Sequence, residues 1–149
     1  MDKIPVETYL PELIELTRLY DLPLEGVIVV PNILEWCRGR GVVEDNPVRA
    51  GKLIRNRETK QYLVLLAKDI AIDYVCNSLI PAMEFRGLGA EARALKDPQV
   101  FLKHLLLHEL AHAIDDSWSE EECDRWAFSE LKKIPSNKSL GLRAVDFRP

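Results

Sequence analysis

His104-Leu105-Leu106-Leu107-His108-Glu109-Leu110-Ala111-His112 is the stretch from which the rest of the chain can be read. It contains H-E-x-x-H, in which two histidines one helical turn apart ligate zinc and the glutamate between them acts on a metal-bound water. The 3.6-residue helical period puts His108 and His112 on one face with their rings converging. Glu109 is turned away by about a third of a turn, near enough to reach a water on the metal but not placed as a ligand on that face. All three histidines of the chain fall in this stretch, at i, i+4 and i+8, flanked by apolar residues that supply a dry wall. Asp97 can cap the helix and Pro98 suits its first position, and from Val100 to Ala113 neither glycine nor proline interrupts it. An ordinary amphipathic helix with half-buried histidines is the competing account, and the clustering of all three rings speaks against it.

A catalytic zinc needs a third protein ligand and an open fourth position. The next segment, Ser117-Trp118-Ser119-Glu120-Glu121-Glu122-Cys123-Asp124-Arg125-Trp126-Ala127-Phe128, offers several carboxylates. Its pairs Ser117 with Glu120 and Ser119 with Glu122 have capping-box spacing and predict a second helix. Glu120 shares a face with Cys123, Asp124, Ala127 and Leu131, the side expected to look inward. Only seven residues separate His112 from Glu120, however, and a simple helical hairpin would bring Glu122 or Asp124 level with His112 instead. The residues alone leave the third ligand open among these three. Asp124 also has the position to accept a ligand histidine's distal N–H and fix its tautomer. His104 reads as a cleft-wall residue in preference to a spare ligand, because three protein ligands suffice.

Taken together, H-E-L-A-H followed by E-x-x-C-D-R-W-A resembles the gluzincin clan of metallopeptidases, whose pattern is H-E-x-x-H and then E-x-x-A-[DN]-x-[FY]-A. Within that clan the chain is most similar to the small ImmA/IrrE-type domain. The resemblance implies zinc ligation by His108, His112 and Glu120, a supporting role behind the ligands for Asp124, the aromatic position for Trp126 and the small one for Ala127. Cys123 stands where the family has alanine. The likeness spans His104 to Leu131 and carries no substrate with it. Two features depart from the family: the spacer between the motifs is short, and a helical segment precedes the metal helix where an edge strand is usual. Metzincins fit badly, since Asp115 occupies their glycine and Trp118 their third ligand.

The whole chain sets the frame. Its 149 residues, 47% hydrophobic, predict a single α+β domain over 1–149, zincin-like, with helices packed on a small, mostly antiparallel sheet and a C-terminal tail from 135. A net charge of −4 argues against direct nucleic-acid binding and against anionic membranes. The start, Met1 to Glu7, has no apolar core of a signal peptide, and no stretch is long enough to span a membrane, so a cytoplasmic protein is expected. Cys37, Cys76 and Cys123 show no C-x-x-C spacing and fit a reducing compartment as small apolar residues.

In chain order, the pattern predicts an amphipathic helix over 6–20, a short buried strand over 26–30 and a helical turn or two over 33–38. A loop follows to Ala50. Lys52 to Arg55 and Gln61 to Leu66 then form the arms of a hairpin around Asn56 to Lys60. The resemblance makes the second arm a candidate edge strand for binding extended substrate, while an interior strand is equally compatible with its composition. Residues 70–80 read as a buried helix ending near Pro81. Residues 85–95 read as a connector with a short helix. The tail 138–149 is polar with scattered apolar residues, enough to dock on the surface or lie across the cleft.

The expected function is zinc-dependent peptide hydrolysis with one Zn2+ per chain, Glu109 acting as the base and a peptide or protein as the substrate. Tyr62, Tyr74 and Arg143 are the candidates for stabilising the oxyanion. The alternative is a regulatory or interaction protein that keeps a structural zinc site with little or no catalysis. Oligomeric state and cleavage preference do not follow from the sequence.

Overall fold

The computed structural model describes residues 2–134; the tail from 135, with Arg143 and any contact of the tail with the cleft, lies outside the described residues. It has an α+β architecture built around one long helix.

The chain begins with β1 (Lys3–Pro5) and turns directly into α1 (Val6–Thr17), which buries Val6, Leu13 and Leu16. The helix stops three residues earlier than its apolar pattern suggests, and Tyr20 leaves it to make a side-chain contact elsewhere. β2 (Leu24–Val30) and α2 (Ile33–Arg38) follow, the latter capped by the Asn32 side chain, which accepts from the Glu35 amide. The expected hairpin is present as β3 (Gly51–Arg55) and β4 (Tyr62–Ala67).

Strand order in the main sheet is β2-β4-β3, so the second hairpin arm is the central strand and cannot offer a free edge. The reason is burial. Val64, Leu65 and Leu66 are fully buried, and a continuous apolar run of that kind belongs in the middle of a sheet covered on both faces. The first arm, β3, takes the edge instead. The main sheet is mixed: β2 runs parallel to β4, with Val27 opposite Val64, whereas β3 runs antiparallel to it. A second, two-stranded antiparallel sheet pairs β1 with β5 (Asp69–Ala71).

Ile70 therefore belongs to a strand, and the helix expected over 70–80 starts later and ends later. It runs as α3 (Ile72–Tyr74), a π-helical stretch (Val75–Leu79) and α4 (Ile80–Phe85). Pro81 does not end it, because it falls in the first turn of α4, where hydrogen bonding changes from the wider π pattern and the missing N–H is tolerated. What does end it is Gly87, at φ +86. The Gly87 amide donates to the Glu84 carbonyl and the Leu88 amide to that of Met83, the paired bonds of a left-handed C-cap that residues with a Cβ rarely adopt. Arg86 is fixed at the cap by this turn. The short α5 (Gly89–Ala92) and a 3-10 turn (Arg93–Lys96) lead to the centre of the molecule.

That centre is α6 (Pro98–Ile114), capped by Asp97, whose side chain accepts from the Gln99 amide. Phe101, Leu102, Leu106, Leu107, Leu110 and Ala111 are all buried, so the helix is apolar nearly all the way round, as an element packed on several sides must be. α1, β3, β4 and the final helix α7 (Glu120–Lys133) all pack on it. β3 comes close: a Cβ added at Gly51 would lie 3.0 Å from the Leu105 side chain. The edge strand is thereby held against α6 one turn before His108. Among the described residues no helix is long and apolar enough to cross a membrane.

Candidate metal centre

α7 begins at Glu120 because Ser119 caps it. The Ser119 hydroxyl accepts from the Glu122 amide, and the Glu122 carboxylate accepts from the Ser119 amide. Only this one of the two spacings forms a capping box. Ser117 donates instead to Asp115, through both its amide and its hydroxyl, in the tight turn out of α6. The consequence for the three acidic residues is decisive: Glu122 is committed to the cap, Glu120 is left at the very start of the helix, and Asp124 lies one turn further in.

Glu120 reaches across to both histidines of the motif. Its Oε1 is 3.0 Å from Nε2 of His108 and its Oε2 is 3.0 Å from Nε2 of His112. Two imidazole nitrogens and a carboxylate thus converge on one point. In a tetrahedral zinc site with bonds near 2.1 Å, neighbouring ligand atoms stand ~3.4 Å apart, so this donor set fits such an ion in type and comes close to its spacing. The hydrogen bond from His108 keeps Glu120 below the usual carboxylate range, outweighing its partial burial.

Behind these three residues lies a second layer of contacts. Asp124 Oδ1 is 2.7 Å from Nδ1 of His108 and 2.9 Å from Nε2 of His104. A carboxylate oxygen only accepts, so His104 donates from Nε2 and His108 from Nδ1, and Nε2 is the His108 atom left to face Glu120. Burial by itself would raise Asp124, but the two histidine bonds hold it well below its ordinary value. Arg86 adds a cation, its Nη1 lying 3.6 Å from Asp124 Oδ2. For His108, burial opposes the charged ring, yet Asp124 and Glu120 prevail and push it up to about 10. His112 goes the other way, lowered by burial that Glu120 does not fully offset. Its Nδ1 lies 3.6 Å from Cys123 Sγ, so Cys123 touches the second histidine.

His104, only 2% exposed, stacks on Phe128 with ring centroids 4.1 Å apart. Its Nδ1 is buried without a hydrogen-bond partner, and burial lowers its pKa. With His108 and Asp124 it forms a second cluster close enough to hold an ion. That cluster shares His108 with the first and is already satisfied by Asp124's two hydrogen bonds.

Glu109 is 7% exposed, and burial pushes it up to about 7. The charges of His108, Arg49 and Lys52 pull against that shift. Its carboxyl makes no side-chain hydrogen bond among the described residues and opens onto the cleft on both sides. One side is a cavity of about 230 Å³ walled by Tyr74, Leu79, Met83, Phe101 and Leu105. The other, about 410 Å³, is polar and runs beside β3 past Lys52, Arg55, Tyr62 and His112.

Of the oxyanion candidates, Tyr74 lines the first of these two cavities and not the second, and Tyr62 the second and not the first. The sequence reading passed over Arg49, Glu44 and Arg86. Glu44 and Arg49 lie in a loop with no periodicity to orient them, and Arg86 is aimed by a turn whose geometry depends on Gly87. Cys37 and Cys123 are buried and Cys76 half-buried, all three as free thiols.

Compared with models of known protein families, with curated proteins and with solved structures, the chain matches none of them.

Proposed function

We propose that this chain is a zinc-dependent peptidase in which His108, His112 and Glu120 hold the metal and Glu109 is the general base. The observation that carries the proposal is the placement of one Glu120 carboxylate between the two Nε2 atoms, beside a buried and unengaged Glu109. A metal held there supplies Lewis acidity, lowering the pKa of a water and polarising a carbonyl. Glu109 takes the proton from that water as its oxygen adds to the scissile carbon. It then passes the proton to the departing nitrogen as the C–N bond breaks, leaving one carboxylic acid and one amine. A carboxylate poised near neutrality suits both halves of that exchange.

The substrate is an extended peptide. β3 is an edge strand of the main sheet and its residues Gly51, Lys52, Leu53 and Arg55 border the polar half of the cleft, so a peptide backbone can add to the sheet there. A structural zinc site gives no reason to keep an unpaired carboxyl buried beside the ion, which favours catalysis over a purely architectural role.

Metal analysis and one substitution test this reading. Protein purified without an affinity tag should carry about one zinc per chain. Glu109→Gln should keep that zinc and lose peptide cleavage. A chain that binds no zinc, or a variant that cleaves as fast as wild type, refutes it.

A further inference from the structure

The two halves of the cleft share four residues: Arg49, Gly51, Glu109 and Glu120. A peptide that occupies both halves has its central bond at this junction. When water adds to that bond its carbonyl oxygen becomes negative and needs a donor besides the metal. Glu109 and Glu120 are acidic and Gly51 has no side chain. Among the described residues Arg49 is the one side-chain cation that both cavities share.

Arg49 is also held with unusual care. Its Nε and Nη2 both donate to Oε2 of Glu44, at 3.2 and 3.1 Å, which leaves Nη1 outside that grip. Glu44 is in turn immobilised. Its side chain is 1% exposed, its Oε1 accepts from Lys52 at 2.8 Å, and its Oε2 also accepts from the amides of Asp45 and Asn46. Burying a carboxylate in a surface loop is not an efficient route to stability, since an apolar side chain would serve packing as well. Such a knot does make sense as a mount that fixes a guanidinium before the reaction begins, so that no reorganisation is needed when charge develops.

We propose that Arg49 is a catalytic residue that donates from its guanidinium to the scissile carbonyl oxygen as it acquires negative charge, and that Glu44 is the positioning residue that aims it. This rests on the peptidase reading above. Tyr62 and Tyr74 are assigned instead to the walls of the two half-clefts.

The test uses the zinc-loaded full chain and a library of random decapeptides, with cleavage read by mass spectrometry and kinetics measured on one peptide that is cut. Arg49→Met should lower kcat by about 10²–10³-fold while KM changes far less and zinc content stays at wild-type level. Arg49→Lys keeps the charge without the fork and should recover part of the loss. Glu44→Gln should fall between them, with the loss again in kcat. Independently of turnover, a phosphinic analogue of the cleaved peptide, tetrahedral and anionic at the scissile position, should lose affinity for Arg49→Met by a similar factor. The affinity of the amine product should be unchanged. A kcat for Arg49→Met within twofold of wild type, or equal losses for analogue and product, overturns the role of Arg49 and leaves the peptidase reading standing. If zinc-loaded wild type cuts no peptide in the library, both fall together.

Discussion

Asp124 Oδ1 lies 2.7 Å from Nδ1 of His108, and that contact fixes which nitrogen of the ring faces the candidate metal position. Without the aspartate the ring is free to change tautomer and to rotate. Asp124→Ala is expected to weaken zinc binding by about 10–100-fold, the usual cost of losing a carboxylate behind a ligand histidine. Competition with a chromophoric chelator measures it, and unchanged affinity would show that the aspartate serves only the fold.

Cys123 makes the corresponding contact to the other histidine, 3.6 Å from its Nδ1, but a thiol sulfur is a weak acceptor. Cys123→Ala should therefore weaken zinc by less than about tenfold, a smaller loss than at Asp124. The same titration compares the two variants side by side, and a loss larger at Cys123 would reverse this ranking.

Glu120 and Glu122 differ in what they touch as well as by two positions: the first meets His108 and His112, the second caps α7. Zinc at about 100 times its dissociation constant should stabilise wild type by ~2.7 kcal/mol. Glu120→Ala should forfeit that gain. Glu122→Ala should keep it while losing about 1 kcal/mol of stability from the broken capping box. Thermal melts with and without zinc distinguish them; stabilisation of Glu120→Ala by zinc equal to wild type would remove Glu120 from the ligand set.

Acid should loosen the loop before β3. Glu44 is held down to about 2: its burial acts to raise it, but Lys52, the Asn46 amide and Arg49 together outweigh that burial. Because its folded pKa lies below the ordinary unfolded value, the stability it contributes is complete above roughly pH 4.5 and fades as pH falls toward 2. Glu44→Gln removes this dependence, so the stabilities of the two proteins should converge across that interval. Denaturant melts at several pH values read it directly. A gap between the two that stays constant down to pH 2 would contradict the assignment.

Tyr20 donates to Oε1 of Glu130 at 2.8 Å and its ring lies against Trp126, tying the end of α1 to α7. Tyr20→Phe keeps the ring contact and loses the bond, at a cost of about 1 kcal/mol. A midpoint in denaturant equal to wild type would mean that water replaces the lost bond at no net cost.

Local pattern made much of this molecule legible. The Asp97 cap, the proline after it and the unbroken run to Ala113 mark α6; the short apolar runs on either side of Asn56 to Lys60 mark the hairpin; the i, i+4 spacing brings two imidazoles together. Such features depend on residues a few positions apart, where backbone geometry leaves little choice. Pro81 misled because its effect depends on whether the surrounding turn is α or π, which is set by how the segment packs. The edge and the centre of the sheet were likewise not distinguishable from either hairpin arm by itself.

By itself the sequence determined the α+β class, the histidine-glutamate pattern and the helix on which it sits, since 3.6-residue periodicity and capping chemistry act within a single element. Tertiary structure alone decided which acidic residue meets the histidines, which strand borders the cleft and that Arg49 stands at its middle. Those outcomes depend on how separate elements are oriented against α6, and that is settled by the shape of the shared core.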